Sequence, residues 1–189
     1  MILSKTKLDH LIFTKGNINI MQKNTILNSK LAGELAKVGH THTVLVTDAG
    51  FPIPEDANVV ELGLTAGTID VLEILKVLRE HMFVEKVRFA PEVKTHYSSL
   101  YSQVQEIYTG SGAIFEPCTH EDLVDKVAHE ARLIIRSGSL TCWGNFALTA
   151  ATDPFAWCRE DEHILPGEVT HGYDQRRSRI NNNDVPDFD

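Results

Sequence analysis

The sequence predicts an α/β domain: a mainly parallel sheet covered by helices on both faces. Three observations carry this reading. Short runs rich in valine, leucine and isoleucine, such as Thr43-Val44-Leu45-Val46-Thr47 and Leu133-Ile134-Ile135, read as strands buried on both sides. Other segments repeat apolar residues at helical spacing, as Leu72, Leu75, Leu78 and Met82 do. The two kinds of segment alternate along the chain, and that rhythm implies parallel strands joined by crossover helices.

Each element follows from local signals. Asn28 and Ser29 are N-cap candidates for a helix with Leu31, Leu35 and Val38 on one face, and Gly39 ends it. The strand at 43–47 is stopped by Asp48-Ala49-Gly50 and the stiff Pro52-Ile53-Pro54 turn. Val59 to Leu64 reads as a short strand, and Thr68 as the cap of the next helix. Val84 to Ala90 is a strand, and Leu100, Val104 and Ile107 mark a helix. A strand at 113–116, a helix at 120–130 and strands at 133–135 and 145–148 complete the series. Three regions result: an unpatterned N-terminal extension at 1–20, the α/β domain at 21–151 and a C-terminal extension at 152–189. The last twenty residues have low apolar content and no periodicity, so a disordered tail is expected there, with Arg176 to Arg179 solvated or forming a basic contact.

Composition excludes several classes of function. The 189 residues are 42% hydrophobic, enough to bury a core. With 18 basic against 26 acidic residues the net charge is −8, which argues against a nucleic-acid binder. Cys118, Cys142 and Cys158 are odd in number and form no CxxC pair, so neither a disulfide framework nor a zinc ribbon is expected, and a reduced, cytoplasmic location is the simplest reading. No apolar run approaches the ~20 residues that span a bilayer, and no membrane partner is expected.

Three segments carry residues suited to chemistry. His40 stands between a helix end and a strand start, and Asp48 at the carboxyl end of that strand, where α/β sheets collect ligands. Eight residues separate them, so a loop or a neighbouring chain must join them if they act together; the plain alternative is a capping histidine and a turn aspartate. His120 follows Thr119 at a helix start and reads equally as an ordinary first-turn residue. Trp143, Gly144 and Asn145 lie in a loop between strands. There Trp143 offers an apolar face to a sugar ring and Asn145 a donor and acceptor to hydroxyls, or the two simply begin a core strand.

Taken in order and spacing, Ile26-Leu27-Asn28-Ser29, the stretch from Gly39 to Pro54, the stretch from Leu62 to Thr68, Thr119 to Leu123, and the run from Ile134 to Asn145 resemble the D-ribose pyranase/L-fucose mutarotase family. Met21 to Thr25 also resembles that family's usual N-terminus. The resemblance implies that His40 is the catalytic proton donor and that Asp48, His120, Trp143, Gly144 and Asn145 contact sugar. It also implies ring-shaped pentamers, stacked into decamers, with the site near a subunit boundary. Trp143 replaces the family's usual tyrosine, Val124 stands where many pyranases have lysine, and the C-terminal extension is additional.

The chemistry implied is interconversion of the ring forms of a free monosaccharide such as D-ribose or L-fucose. A proton is delivered to the ring oxygen, another leaves the anomeric hydroxyl, and the open-chain aldehyde recloses through a different hydroxyl or onto its other face. Histidine, titrating near neutrality, suits these transfers, worth about 10²–10⁴ in rate, and no cofactor is called for. The competing reading is a non-catalytic monosaccharide-binding or ring-assembly protein, which sugar-exchange kinetics separates from the enzyme.

Overall fold

The computed structural model describes residues 26–158 and 167–188. The expected N-terminal extension at 1–20 lies outside them. The helices are α1 (Ser29–Leu35), α2 (Val71–His81), α3 (Glu92–His96), α4 (Ser98–Tyr108), α5 (His120–Asp122), α6 (Ala128–Glu130) and α7 (Gly167–Asn181). The strands are β1 (Thr43–Thr47), β2 (Val59–Glu61), β3 (Val84–Phe89), β4 (Ile114–Pro117), β5 (Leu133–Arg136) and β6 (Phe146–Ala150). Together the strands form one sheet in the order β2-β5-β1-β6-β3-β4. The pairs β2–β5, β5–β1 and β3–β4 are parallel, whereas β6 runs antiparallel to both neighbours, β1 and β3. The parallel character read from the sequence therefore holds for most of the sheet, with one reversed strand near its middle.

Alternation within the strands explains why both faces are covered. Val44, Val46, Leu133, Ile135, Phe146 and Leu148 point into a core closed by α1, α2 and α4. Their neighbours Leu45, Ile134 and Ala147 point the other way, against Leu123, Val127 and Ala128 of the 120–130 segment. That segment is α5 continuing through a π-helical turn, Leu123–Val127, into α6.

Three local details differ from the sequence expectation. Asp70, not Thr68, caps α2: its carboxylate accepts from the Leu72 N–H, and Glu73 returns a bond to the Asp70 N–H. Thr68 is instead bonded across a tight turn, its N–H donating to the Thr65 carbonyl. The short α3 had no periodic signal, being only five residues long.

The largest difference is at the C-terminus, where the expected disorder gives way to α7 and a returning strap. Arginine hydrogen bonds, rather than an apolar stripe, fix this region, one reaching the domain and the others closing on the extension's own loop. Arg179 Nε donates to the Gly112 carbonyl, and Arg177 donates to the carbonyls of Pro154, Trp157 and Cys158. Gly112 has φ +75°, and a Cβ there would lie 2.8 Å from Ile180 Cγ1, so α7 sits directly on its backbone. Beyond α7 the chain returns across α4: Asp187 accepts from the Tyr101 hydroxyl at 2.6 Å, and Phe188 packs on Phe89 with ring centroids 5.1 Å apart. Arg176, expected to be solvated, is 5% exposed. No helix among the described residues is long and apolar enough to cross a membrane.

Candidate active site

The carboxyl end of β1 opens into a cavity of about 400 Å³ lined by Asp48, Phe51, His120, Ser139, Leu140 and Trp143, among others. Asp48 is 9% exposed, and each of its carboxylate oxygens is held. Oδ1 accepts from the Gly50 N–H at 2.8 Å, an Asx turn that the Asp48-Ala49-Gly50 sequence encodes. Oδ2 accepts from Asn145 Nδ2 at 2.9 Å, and Asn145 Oδ1 accepts in return from the Asp48 backbone N–H at 2.9 Å. Each carboxylate oxygen keeps a second lone pair for a ligand hydroxyl.

His120 stands at the first position of α5, behind its Thr119 cap. Its ring meets Phe51 edge-on at 6.1 Å, and its Nδ1 is buried without a hydrogen-bond partner. A buried ring nitrogen left idle beside a cavity is costly unless a ligand supplies the missing bond. Trp143 lies with φ +57° in a tight loop, its indole stacked on His96 at 5.2 Å and 25°. Gly144 is required by the same loop, since a Cβ there would stand 2.8 Å from the Thr141 carbonyl oxygen. Cys118, at the end of β4, has its thiol pushed up to about 11 by burial, which removes it as a nucleophile near neutrality.

The residues read from the sequence thus fall into three places. Asp48, His120 and Trp143 share one cavity. Asn145 is 0% exposed and does not line it; its amide points at Asp48 from behind. His40 is elsewhere. It precedes the amino end of β1, whereas Asp48 follows the carboxyl end, and a five-residue strand alone separates these ends by ~13 Å at ~3.3 Å per residue. Around His40 a second cavity, about 640 Å³, is lined by residues that include His81, Phe83, Thr152, Trp157 and Tyr173. His40 Nε2 lies 3.4 Å from Glu85 Oε2 on β3. Sequence reasoning missed Glu85, Trp157 and Tyr173. Glu85 occupies an ordinary strand position, and the two aromatics belong to the extension. Among the described residues, no three histidine, cysteine, aspartate or glutamate side chains are grouped to hold a metal.

This is the arrangement of an α/β protein with a small, mostly apolar pocket carrying a few polar groups at a strand's carboxyl end and a histidine exposed at the other end. The chain belongs to the RbsD/FucU transport protein family, whose pattern it matches over residues 21–152. It is 34% identical over 146 residues to D-ribose pyranase 1 of Streptomyces griseus, covering 77% of this chain and 95% of that one. With the D-ribose pyranase of an Exiguobacterium species it shares 38% identity over 130 residues, 69% of this chain and 97% of the relative. The structure of Bacillus subtilis RbsD complexed with D-ribose superposes with a TM-score of 0.66 at 33% identity, covering 70% of this chain and 99% of that one. The fucose mutarotase of Streptococcus pneumoniae in complex with L-fucose shares the fold at a TM-score of 0.57 and 16% identity, over 66% of this chain and 93% of that one.

Proposed function

We propose that this protein is a sugar ring-form isomerase, interconverting pyranose and furanose or anomeric forms of a free monosaccharide such as D-ribose or L-fucose. The observation that carries the reading is the Asp48–His120–Trp143 cavity: a carboxylate with lone pairs to spare, an idle ring nitrogen and an indole beside it suit a polyol with one apolar face. Relatives at 34–38% identity are named D-ribose pyranases.

His40 is the proton donor in this reading, and its distance from Asp48 makes the site composite. One subunit supplies Asp48, His120 and Trp143, with Gly144 shaping the loop and Asn145 aligning the carboxylate. The next subunit in a pentamer-based ring, stacked into a decamer, supplies His40. The imidazolium protonates the ring oxygen while the anomeric hydroxyl passes its proton to a water; after rotation in the open-chain aldehyde another hydroxyl closes on the carbonyl carbon and gives its proton to His40, as the water returns the other proton to the new anomeric oxygen. Three free cysteines agree with a cytoplasmic setting.

The test is NMR magnetisation exchange with ribose and fucose, on wild type and His40→Ala, beside sedimentation of both. Wild type is expected to accelerate exchange over buffer, and His40→Ala to lose at least about tenfold while still forming the ring; acid–base help is worth about 10²–10⁴. Exchange at the buffer rate with sugar still bound would replace the enzyme by a binding module. Unchanged exchange in His40→Ala would move the acid to another residue.

A further inference from the structure

We infer that Arg176 of the C-terminal extension is a positioning residue for His40, acting by holding Glu85. The inference rests on the role of His40 proposed above. It begins with a buried cation whose hydrogen bonding is incomplete. Arg176 is 5% exposed, and its Nη1 donates to the Thr152 carbonyl at 2.9 Å. Its Nε and Nη2 are buried and have no partner. These two N–H groups form the side-on edge of the guanidinium, the fork that matches two carboxylate oxygens. An arginine with that edge idle in the interior carries a penalty that one nearby oxyanion removes.

The oxyanion comes from the protein, because the fork is shut off from solvent. Glu85 lines the same cavity of about 410 Å³ as His40, Tyr173 and Arg176. Burial holds the Arg176 guanidinium below the usual arginine value, and the charge that most opposes this is Glu85. Meanwhile Glu85 reaches His40 only at 3.4 Å, too long for a strong charge-assisted bond. The carboxylate therefore shares one cavity with His40 and the Arg176 fork and is bonded tightly to neither.

Other charged groups nearby are already occupied or lie further out. Lys86 pairs with Glu116 at 2.7 Å, Arg179 donates to Gly112, and Asp153 acts on Arg176 from the loop after β6. His42 accepts from the Gly39 N–H, His81 lines the larger cavity with His40, and the Tyr173 hydroxyl is bonded to Thr152. Glu85 is thus the group that can follow the charge of His40. It turns toward the imidazolium when His40 carries a proton and toward the Arg176 fork when that proton is on the sugar. Arg176 thereby limits how strongly Glu85 keeps on His40 the proton that catalysis must release. Bacillus subtilis RbsD is covered over 99% of its length by 70% of this chain, and the family match ends at residue 152, so this control is an addition made by the extension.

The experiment measures the pH midpoint of the His40 ring resonances by NMR, and in parallel the pH profile of sugar exchange. The full-length proteins are wild type, Arg176→Met, Glu85→Gln and the double variant. Arg176→Met is expected to move the midpoint alkaline by on the order of one unit, the low end of what a neighbouring charge does, because Glu85 then serves His40 alone. Glu85→Gln moves it the opposite way, and adding Arg176→Met to Glu85→Gln changes it little further. Arg176→Lys, which keeps the charge without the fork, lands between wild type and Arg176→Met and serves where the methionine variant does not fold. An unmoved midpoint, or an equal shift with and without Glu85, overturns the inference. Since the ring resonances titrate whether or not sugar is turned over, failure of the isomerase reading is recognised separately, as a normal titration without exchange catalysis.

Discussion

Replacing Asn145 with alanine separates two roles that one side chain can have in a sugar site. In the structure its amide is wholly buried and both ends are spent on Asp48, one on the carboxylate and one on the backbone N–H. Alanine leaves the Asp48 N–H unpaired in the interior, which costs about 1–3 kcal/mol, and removes a bond to a charged group worth about 1.5–3 kcal/mol. Because the two share one residue they do not add fully, and a net loss of about 2–4 kcal/mol is expected. Urea unfolding at neutral pH reads that loss, and sugar affinity by titration calorimetry reads the site. A positioning residue gives a large stability loss with affinity weakened through the misaligned Asp48. Asn145→Asp should be as damaging, since it sets a second carboxylate against the first. The reasoning is refuted if Asn145→Ala is within about 0.5 kcal/mol of wild type yet abolishes binding, for Asn145 would then touch sugar directly.

Two further outcomes are expected. In Trp157→Phe protein, which leaves Trp143 as the one remaining tryptophan, sugar should change the emission; Trp143→Ala should weaken binding by roughly 1–3 kcal/mol, and a silent Trp143 would assign it to the core with its stacked partner His96. At the C-terminus, Phe188→Ala should destabilise by about 1–3 kcal/mol in urea unfolding, through contacts with Phe89 and Tyr101, and no loss would show the strap to be dispensable.

The sheet was legible because β1 and β5 are runs of β-branched and aliphatic residues too short for a helix. Asp48 was legible for a similar local reason: the Asp-Ala-Gly turn encodes its own hydrogen bond. Other features depend on pairs far apart in the chain. The bond from Asn145 to Asp48 could not be read, because its partner, 97 residues away, is found only when β6 is laid beside β1. The extension was misread because α7 has no apolar stripe to produce a helical period. Its arginines bond to backbone carbonyls of Gly112, Thr152, Pro154, Trp157 and Cys158, and carbonyls leave no mark in sequence. Polar residues without periodicity imply disorder only where no such acceptors wait.

The direction of β6 ties the two ends of the site together. Being antiparallel to β1, it starts beside the carboxyl end of β1, where Val46 pairs with Phe146, and puts Asn145 behind Asp48. It finishes at the amino end of β1, where the Thr41 N–H donates to the Ala150 carbonyl, so any chain added after β6 emerges next to His40. The extension then turns back over β3 and β4 and finally onto α4, where Asp187 accepts from Tyr101 and pairs with Lys94. The Tyr101 hydrogen bond, with Lys94 beside it, holds the Asp187 carboxyl below the usual aspartate range. A folded-state value below the unfolded ~3.9 means that this strap contributes stability above about pH 4 and loses it as pH falls through the folded value. Asp187→Asn should therefore lower the urea midpoint at neutral pH and flatten its decline between about pH 4 and pH 2, whereas a decline as steep as that of wild type would place the acid sensitivity outside the strap.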